Sequence, residues 1–186
     1  LFRGVALLVL VALTLFTAVV VGRRTVSEIF VNRGVLELQA GNADTAFANA
    51  ANAARIETTG NVLRLATNAG AQKLAEIVQD TTLSQEVARA NFESVLGQTI
   101  TAGNQAVALN PGDYRPHFVL ASIYDSLATL NVQGAYESAI ATYAEATKRN
   151  PNNPAIRLNS LLLISSFYAL FFLNQHTRNG VLMDEQ

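Results

Sequence analysis

The side chains that could do chemistry are few. The 186 residues contain no cysteine and two histidines, His117 and His176. Without thiols the chain can form no disulfide, cysteine nucleophile or cysteine-containing zinc site. The two histidines lie far apart with no carboxylate-rich ligand set around them, so no metal is expected and no cofactor. No glycine-rich phosphate loop, serine elbow, His-Glu metal pair or close carboxylate dyad has convincing spacing. The run Asp113-Tyr114-Arg115 is a polar cluster beside a helix start, where an aspartate is expected to cap free backbone amides. His117 is expected to pack inside and His176 to be solvated, while Glu137 and Asp125 read as solvent-facing groups. Lys148 and Arg149 end a helix, where positive charge complements the helix dipole. No catalytic, cofactor-binding or metal residue is therefore assigned, and the chain is expected not to be an enzyme.

Charge narrows the partners. Thirteen basic and fourteen acidic residues are spread thinly, for a formal net charge of -1. No basic stripe marks a nucleic-acid surface. No Asn-x-Ser/Thr sequon occurs. After an apolar N-terminal helix, the remaining length suits one compact or solenoidal domain with no room for a second enzyme-sized one.

Two apolar segments must be positioned by burial. Gly4 to Val21 is 18 residues without a charge, flanked by Arg3 and by Arg23 and Arg24. As a helix it is about 27 Å long, slightly under the ~30 Å hydrocarbon core of a bilayer, and arginine stems can snorkel across the difference. It suits a membrane span or the apolar core of a protein polymer. A signal peptide fits less well, because Val20-Val21-Gly22-Arg23-Arg24 has no small-x-small cleavage site. Arg23, Arg24 and Arg33 outnumber Arg3 and would place the following region in the cytoplasm by the positive-inside rule. The second segment, Leu161 to Leu173, has 13 residues and is too short to cross a bilayer. It reads as a buried last helix or, through Phe167, Tyr168, Phe171 and Phe172, as a self-association surface. The start at Leu1 rather than Met suggests a processed product or a piece of something longer.

The region between these ends is patterned for helices throughout. Apolar residues recur at three- and four-residue spacing, as in Ala46, Ala50 and Ala53, Leu120, Ile123 and Leu127, or Ala139, Tyr143 and Ala146. Gly41-Asn42, Asn110-Pro111 and Asn150-Pro151 break helices, Pro116 and Pro154 suit first turns, and Asp44 is expected to cap the helix after Gly41. The layout is helix-turn-helix pairs. Residues 104 to 116 and 144 to 156 share Ala-x4-Pro with asparagine before the proline, 40 residues apart.

This punctuation resembles the tetratricopeptide repeat family. Tyr124, Ala139, Tyr143, Ala146 and Pro151 fall in that family's order, and the last four have its spacing. Gly34, Gly41, Ala46 and Ala53 fit its small positions earlier in the chain, with Glu37 and Thr58 in place of its aromatic and proline. Thr99, Gly103, Ala106 and Pro111 supply a second-helix pattern between them. Tyr124 and Ala139 lie 15 residues apart, more than the family's spacing, and residues 79 to 84 extend another turn. Small residues let antiparallel helices approach closely while tyrosine fills the gap between pairs. The resemblance implies an all-α, antiparallel helix-pair solenoid behind a long apolar N-terminal helix. It assigns repeat packing to Gly34, Ala46, Ala53, Ala106, Pro111, Tyr124, Ala139, Tyr143, Ala146 and Pro151. It also implies a concave binding face at Arg115, Phe118, Ser122 and Asp125, matched earlier by Glu28, Val31, Val35 and Leu38. The string from Asn110 to Ile156 is similar to the membrane-linked repeat region of candidate-phylum bacterial envelope proteins.

The expected organisation is an apolar helix over 1–24, repeats over 25–156, and an apolar helix with a polar tail over 157–186. The function expected first is a structural subunit that self-associates through its apolar termini, as in an extracellular filament. The alternatives are a membrane-anchored scaffold for protein partners and the accessory repeats of a surface-polysaccharide polymerase or ligase. The expected partners are protein, above all copies of the chain itself, and a membrane through residues 4–21. The location that goes with them is the cell envelope or its exterior.

Overall fold

The structure is a computed structural model that describes the backbone of residues 2–181 and the side chains of residues 10–166 and 168. Among the described residues all regular structure is α-helical, in the order α1 (Phe2–Gln39), α2 (Ala43–Ile56), α3 (Gly60–Gln79), α4 (Gln85–Leu109), α5 (Tyr114–Thr129), α6 (Ala135–Arg149) and α7 (Pro154–Val181). The chain divides into two compact units after Pro111, inside the stretch expected to be one run of repeats. Helix α1 runs unbroken through residue 24, so an apolar segment and a packing segment share one rod.

The turns follow from local chemistry. At the end of α1 the amide of Asn42 donates to the Glu37 carbonyl at 2.8 Å and that of Gly41 to the Leu38 carbonyl at 3.2 Å. This Schellman pattern needs a left-handed residue, which Gly41 supplies at φ +84°. The end of α5 repeats it with Asn131 at φ 57°, the amide of Val132 reaching the Leu127 carbonyl. Thr59 and Ser84 cap α3 and α4 by accepting from the amides of Val62 and Val87. Asp113 caps α5 in the same way through the amide of Arg115. Asp44 does not cap α2: Asn42 occupies that position without a side-chain capping bond, its amide donating to Glu37 instead, and Asp44, in the first turn, pairs with Lys73 of α3 at 2.6 Å.

In the first unit α1, α2, α3 and α4 form consecutive antiparallel hairpins, with α1 also touching α3. Small residues set the spacing. Ala46, Ala50 and Ala53 are buried on one face of α2, and a Cβ at Gly34 would strike the Leu65 side chain. Val31, Ala53 and Val62 form one core cluster, and Leu63, Ala102 and Ala106 another. In the second unit α5 and α6 pair, and α7 packs on both. Ala121, Ala139, Tyr143, Ala146, Ile156 and Leu163 make its core. Pro111 and Pro151 are exposed in turns, so they end helices and fill no core.

Candidate functional site

Two regions carry polar or apolar groups beyond what the cores require. The first is the outer part of α1. Every described side chain from Leu10 to Val21 is exposed, with Leu10 at 66% and Phe16 at 68%. Successive residues point in all directions around a helix, so no face of this segment has a partner among the described residues. Residues 10–39 form a helix long and apolar enough to cross a membrane, with mean hydropathy 1.5 in its most apolar window. Thr14 and Thr17 return their hydroxyls to the carbonyls of Leu10 and Leu13, which removes their polarity from the surface. Burial begins at Ser27, whose hydroxyl donates to the carbonyls of Ala53 and Glu57 at 3.3 Å each. Arg23 donates to the carbonyl of Ile56 at 2.6 Å. These bonds reach backbone carbonyls at the end of α2, that of Ile56 among those its own helix leaves open, and tie the base of the apolar segment to the first unit.

The second region is centred on Tyr143 in the second unit. Its ring is 1% exposed and meets Phe118 edge to face, with centroids 6.1 Å apart. The hydroxyls of Ser122 and Tyr143 lie 3.5 Å apart. Asp125 from α5 and Asn159 from α7 also act on the Tyr143 hydroxyl. Burial raises the pKa of Tyr143, and burial likewise raises that of Asp125, which the tyrosine hydroxyl partly offsets. The group therefore stays a protonated phenol beside a half-buried carboxylate. Asp125 faces this cluster, not open solvent as the sequence reading had it. The half-buried rim of Ser122, Asp125 and Asn159 offers both donors and acceptors, which suits a peptide backbone or a polar side chain.

The four residues expected on a binding face thus separate. Phe118, Ser122 and Asp125 gather around Tyr143, whereas Arg115 is held by Asp113 through contacts of 2.8 to 3.1 Å at the helix start. The matched positions in the first unit do not form an open groove either, because Val31 lies in the core. Asn159 was missed by sequence reasoning; one polar residue in an apolar helix gives no sign of which tyrosine it will meet.

The remaining candidates have local roles. His117 is 7% exposed, and its Nε2 has no hydrogen-bond partner among the described residues. Burial lowers its pKa, Arg149 lowers it further, and Glu145 and Asp113 oppose them. At the end of α6, Lys148 and Arg149 bracket Glu145 and pull its carboxyl down to about 2. No group of three His, Asp or Glu side chains among the described residues could hold a metal ion. On α7 the large apolar residues Leu158, Leu161, Leu162 and Tyr168 are exposed while Ile156 and Leu163 are buried. The side chains of Phe167, Phe171, Phe172 and His176 lie outside the described residues. No protein-family model matches the sequence, and no curated protein matches it.

Proposed function

We propose that this chain is a membrane-anchored helical-repeat module that binds protein partners, with α1 as the anchor. The observation that carries the reading is the unbroken α1, exposed on every side over residues 10–21 and packed from Ser27 onward. An all-round apolar helix in water would expose a contiguous surface of the kind that marks a membrane or partner contact. Lipid accommodates every face at once, and Arg23 with Arg24 marks the depth at which the apolar run ends. Antiparallel helix pairs with the small-residue spacing of tetratricopeptide repeats supply the binding part. Its contact face is the rim of Ser122, Asp125 and Asn159 beside Phe118, which fits an extended or helical peptide with alternating apolar and amide groups.

The test is extraction of membranes from cells producing the chain. Alkaline carbonate leaves the protein in the membrane pellet and detergent releases it, whereas a variant lacking residues 1–24 appears in the soluble fraction. Release of the full chain by carbonate would sink the anchor reading. For the binding face, immobilised chain is probed with a peptide library; Asp125→Ala together with Asn159→Ala is expected to abolish the selected binding at unchanged helicity.

A second reading, self-association, is favoured by one separate observation. Leu161 and Leu162 follow Leu158 by three and four residues and Tyr168 follows Leu161 by seven, a helical spacing that makes an exposed stripe along α7. Copies of the chain, meeting through this stripe and their apolar ends, would form an assembly and, if the contact is heterologous, a filament. Negative-stain images of purified protein without ordered oligomers would remove it.

A further inference from the structure

The hydrogen bonds at the base of the apolar segment fix which end of the first unit lies nearest to it. Ser27 is level with Ala53, and Arg23 with Ile56. The antiparallel order then brings the turn at residues 57–59, the start of α3 and the end of α4 to this near end. The turns at 40–42 and 80–84 form the far end. By the same register Arg55 is level with Arg24, while the meetings of Asn61 with Glu28 and of Leu65 with Gly34 put Arg64 about two helical turns, ~10 Å, further along. All four arginines, Arg23, Arg24, Arg55 and Arg64, are exposed, and none is in an ion pair among the described residues.

The opposing charges at this end are Glu57 and Glu28, and Glu28 accepts from the Asn61 amide at 3.3 Å. Residues 94–109, the half of α4 that runs to the near end, contain no charged side chain and finish in the exposed Leu109. The far end has the opposite character. Asp44, Glu76, Asp80 and Glu86 lie there against Lys73, which Asp44 already holds, and Arg89, which pairs with Glu93. The unit is thus a charge-polarised rod, basic where the apolar helix leaves it and acidic where it does not.

We propose that the near end of the first unit rests on anionic lipid headgroups, bound by Arg23, Arg24, Arg55 and Arg64, with Leu109 at the interface. This rests on the reading of α1 as a membrane span. Arginine forks pair with lipid phosphates bidentately, and a negative surface attracts basic groups held within a Debye length of it. Arg23 is positioned for this by its bond to Ile56, which holds the near face against the point where α1 enters the bilayer. The acidic far end is repelled from the same surface, so attraction and repulsion impose one orientation. The unit stands upright with its far turns presented away from the membrane.

The absence of cysteine allows single labels in the full chain. Leu15→Cys, Thr58→Cys and Thr81→Cys carry a fluorophore in the apolar segment, the near turn and the far turn. Each is reconstituted into vesicles of phosphatidylcholine alone or of equimolar phosphatidylcholine and phosphatidylglycerol, with nitroxide quenchers on lipid tails or headgroups. Headgroup quenching at Thr58 is expected to rise about twofold with the anionic lipid, to fall back at high salt, and to be lost in Arg55→Glu with Arg64→Glu. Quenching at Thr81 stays at background throughout. If tail lipids quench Leu15 while Thr58 is quenched equally in both vesicles, the headgroup contact is overturned and the span stands. If tail lipids do not quench Leu15, the span reading fails and this inference with it. The salt titration needs no charge substitution, so a misfolded double variant would not rescue the proposal.

Discussion

Replacing Gly70 by alanine sets helix propensity against packing, and the two can be weighed from the structure. In a helix interior alanine is favoured over glycine by about 1 kcal/mol. At Gly97 of α4 nothing lies within 4 Å of an added Cβ, so Gly97→Ala is expected to stabilise by about 0.5–1 kcal/mol. At Gly70 of α3 the added Cβ would overlap the Thr99 hydroxyl and approach Thr99 Cγ2 and Cβ at 2.8 and 2.9 Å. Thr99 is fully buried, and its hydroxyl donates to the Val95 carbonyl at 2.7 Å. Rotating its side chain would move Oγ1 and Cγ2 but not Cβ, so α3 and α4 must separate. Overpacking of this kind costs about 1–3 kcal/mol, and a contact with Cβ itself belongs at the upper end. After the gain in propensity the net loss is about 2 kcal/mol, or about 10 °C in melting temperature for a unit of this size. Thermal melts followed by circular dichroism in detergent micelles measure both variants. Thr99→Ala in the Gly70→Ala background is expected to recover part of the loss, with a coupling of at least ~0.5 kcal/mol. A Gly70→Ala protein that melts at or above the parent, while Gly97→Ala behaves as stated, refutes the close approach of α3 and α4 at this point.

Three further outcomes are expected. Tyr143→Phe keeps the ring against Phe118 and removes only the hydroxyl, so urea unfolding should report a loss of about 1 kcal/mol; Tyr143→Ala should cost about 3–5 kcal/mol through the cavity it leaves. His117 has a folded pKa below its ordinary 6.5, because burial and then Arg149 disfavour the charged ring. The unfolded chain binds the extra proton first, so stability is fully present above pH 6.5 and is lost as the pH falls through the lower folded value. His117→Leu should flatten that limb of the melting-temperature profile. Glu145, held at about 2, contributes separately: its share is fully present above its ordinary 4.5 and is lost as the pH falls from there toward about 2. Leu161→Glu with Leu162→Glu places charge on the exposed stripe of α7, and any concentration-dependent association seen by light scattering should disappear while helicity is retained.

The helical pairs were legible locally because their punctuation is made by neighbours in sequence. Gly41 supplies a left-handed turn, Asp113 caps, and Asn110 and Asn150 stop helices through bonds spanning a few residues. The small-residue positions Ala46, Ala53, Ala139 and Ala146 are also buried where their periodicity places them. Contacts across longer separations were not legible. Asp44 looked like a cap because capping is a local pattern; its partner Lys73 is 29 residues away and is brought near only by the α2–α3 hairpin. Asp125 looked exposed because its own helix does not reveal Tyr143. The expected boundary at residue 24 came from a change in hydropathy, yet nothing there interrupts the backbone, so the helix continues.

Composition and spacing alone determined that the chain would be helical, free of thiol chemistry, and obliged to bury an apolar segment near residues 4–21. Those properties depend on side-chain type and on hydrogen bonds within a turn or two. Tertiary structure decided how α1 is held, which end of the first unit its base meets, which residues surround Tyr143, and which stripe of α7 stays uncovered. Each of these requires distant segments to be brought to one place. Their energies come from burial and pairing between helices, which no local window of the sequence contains.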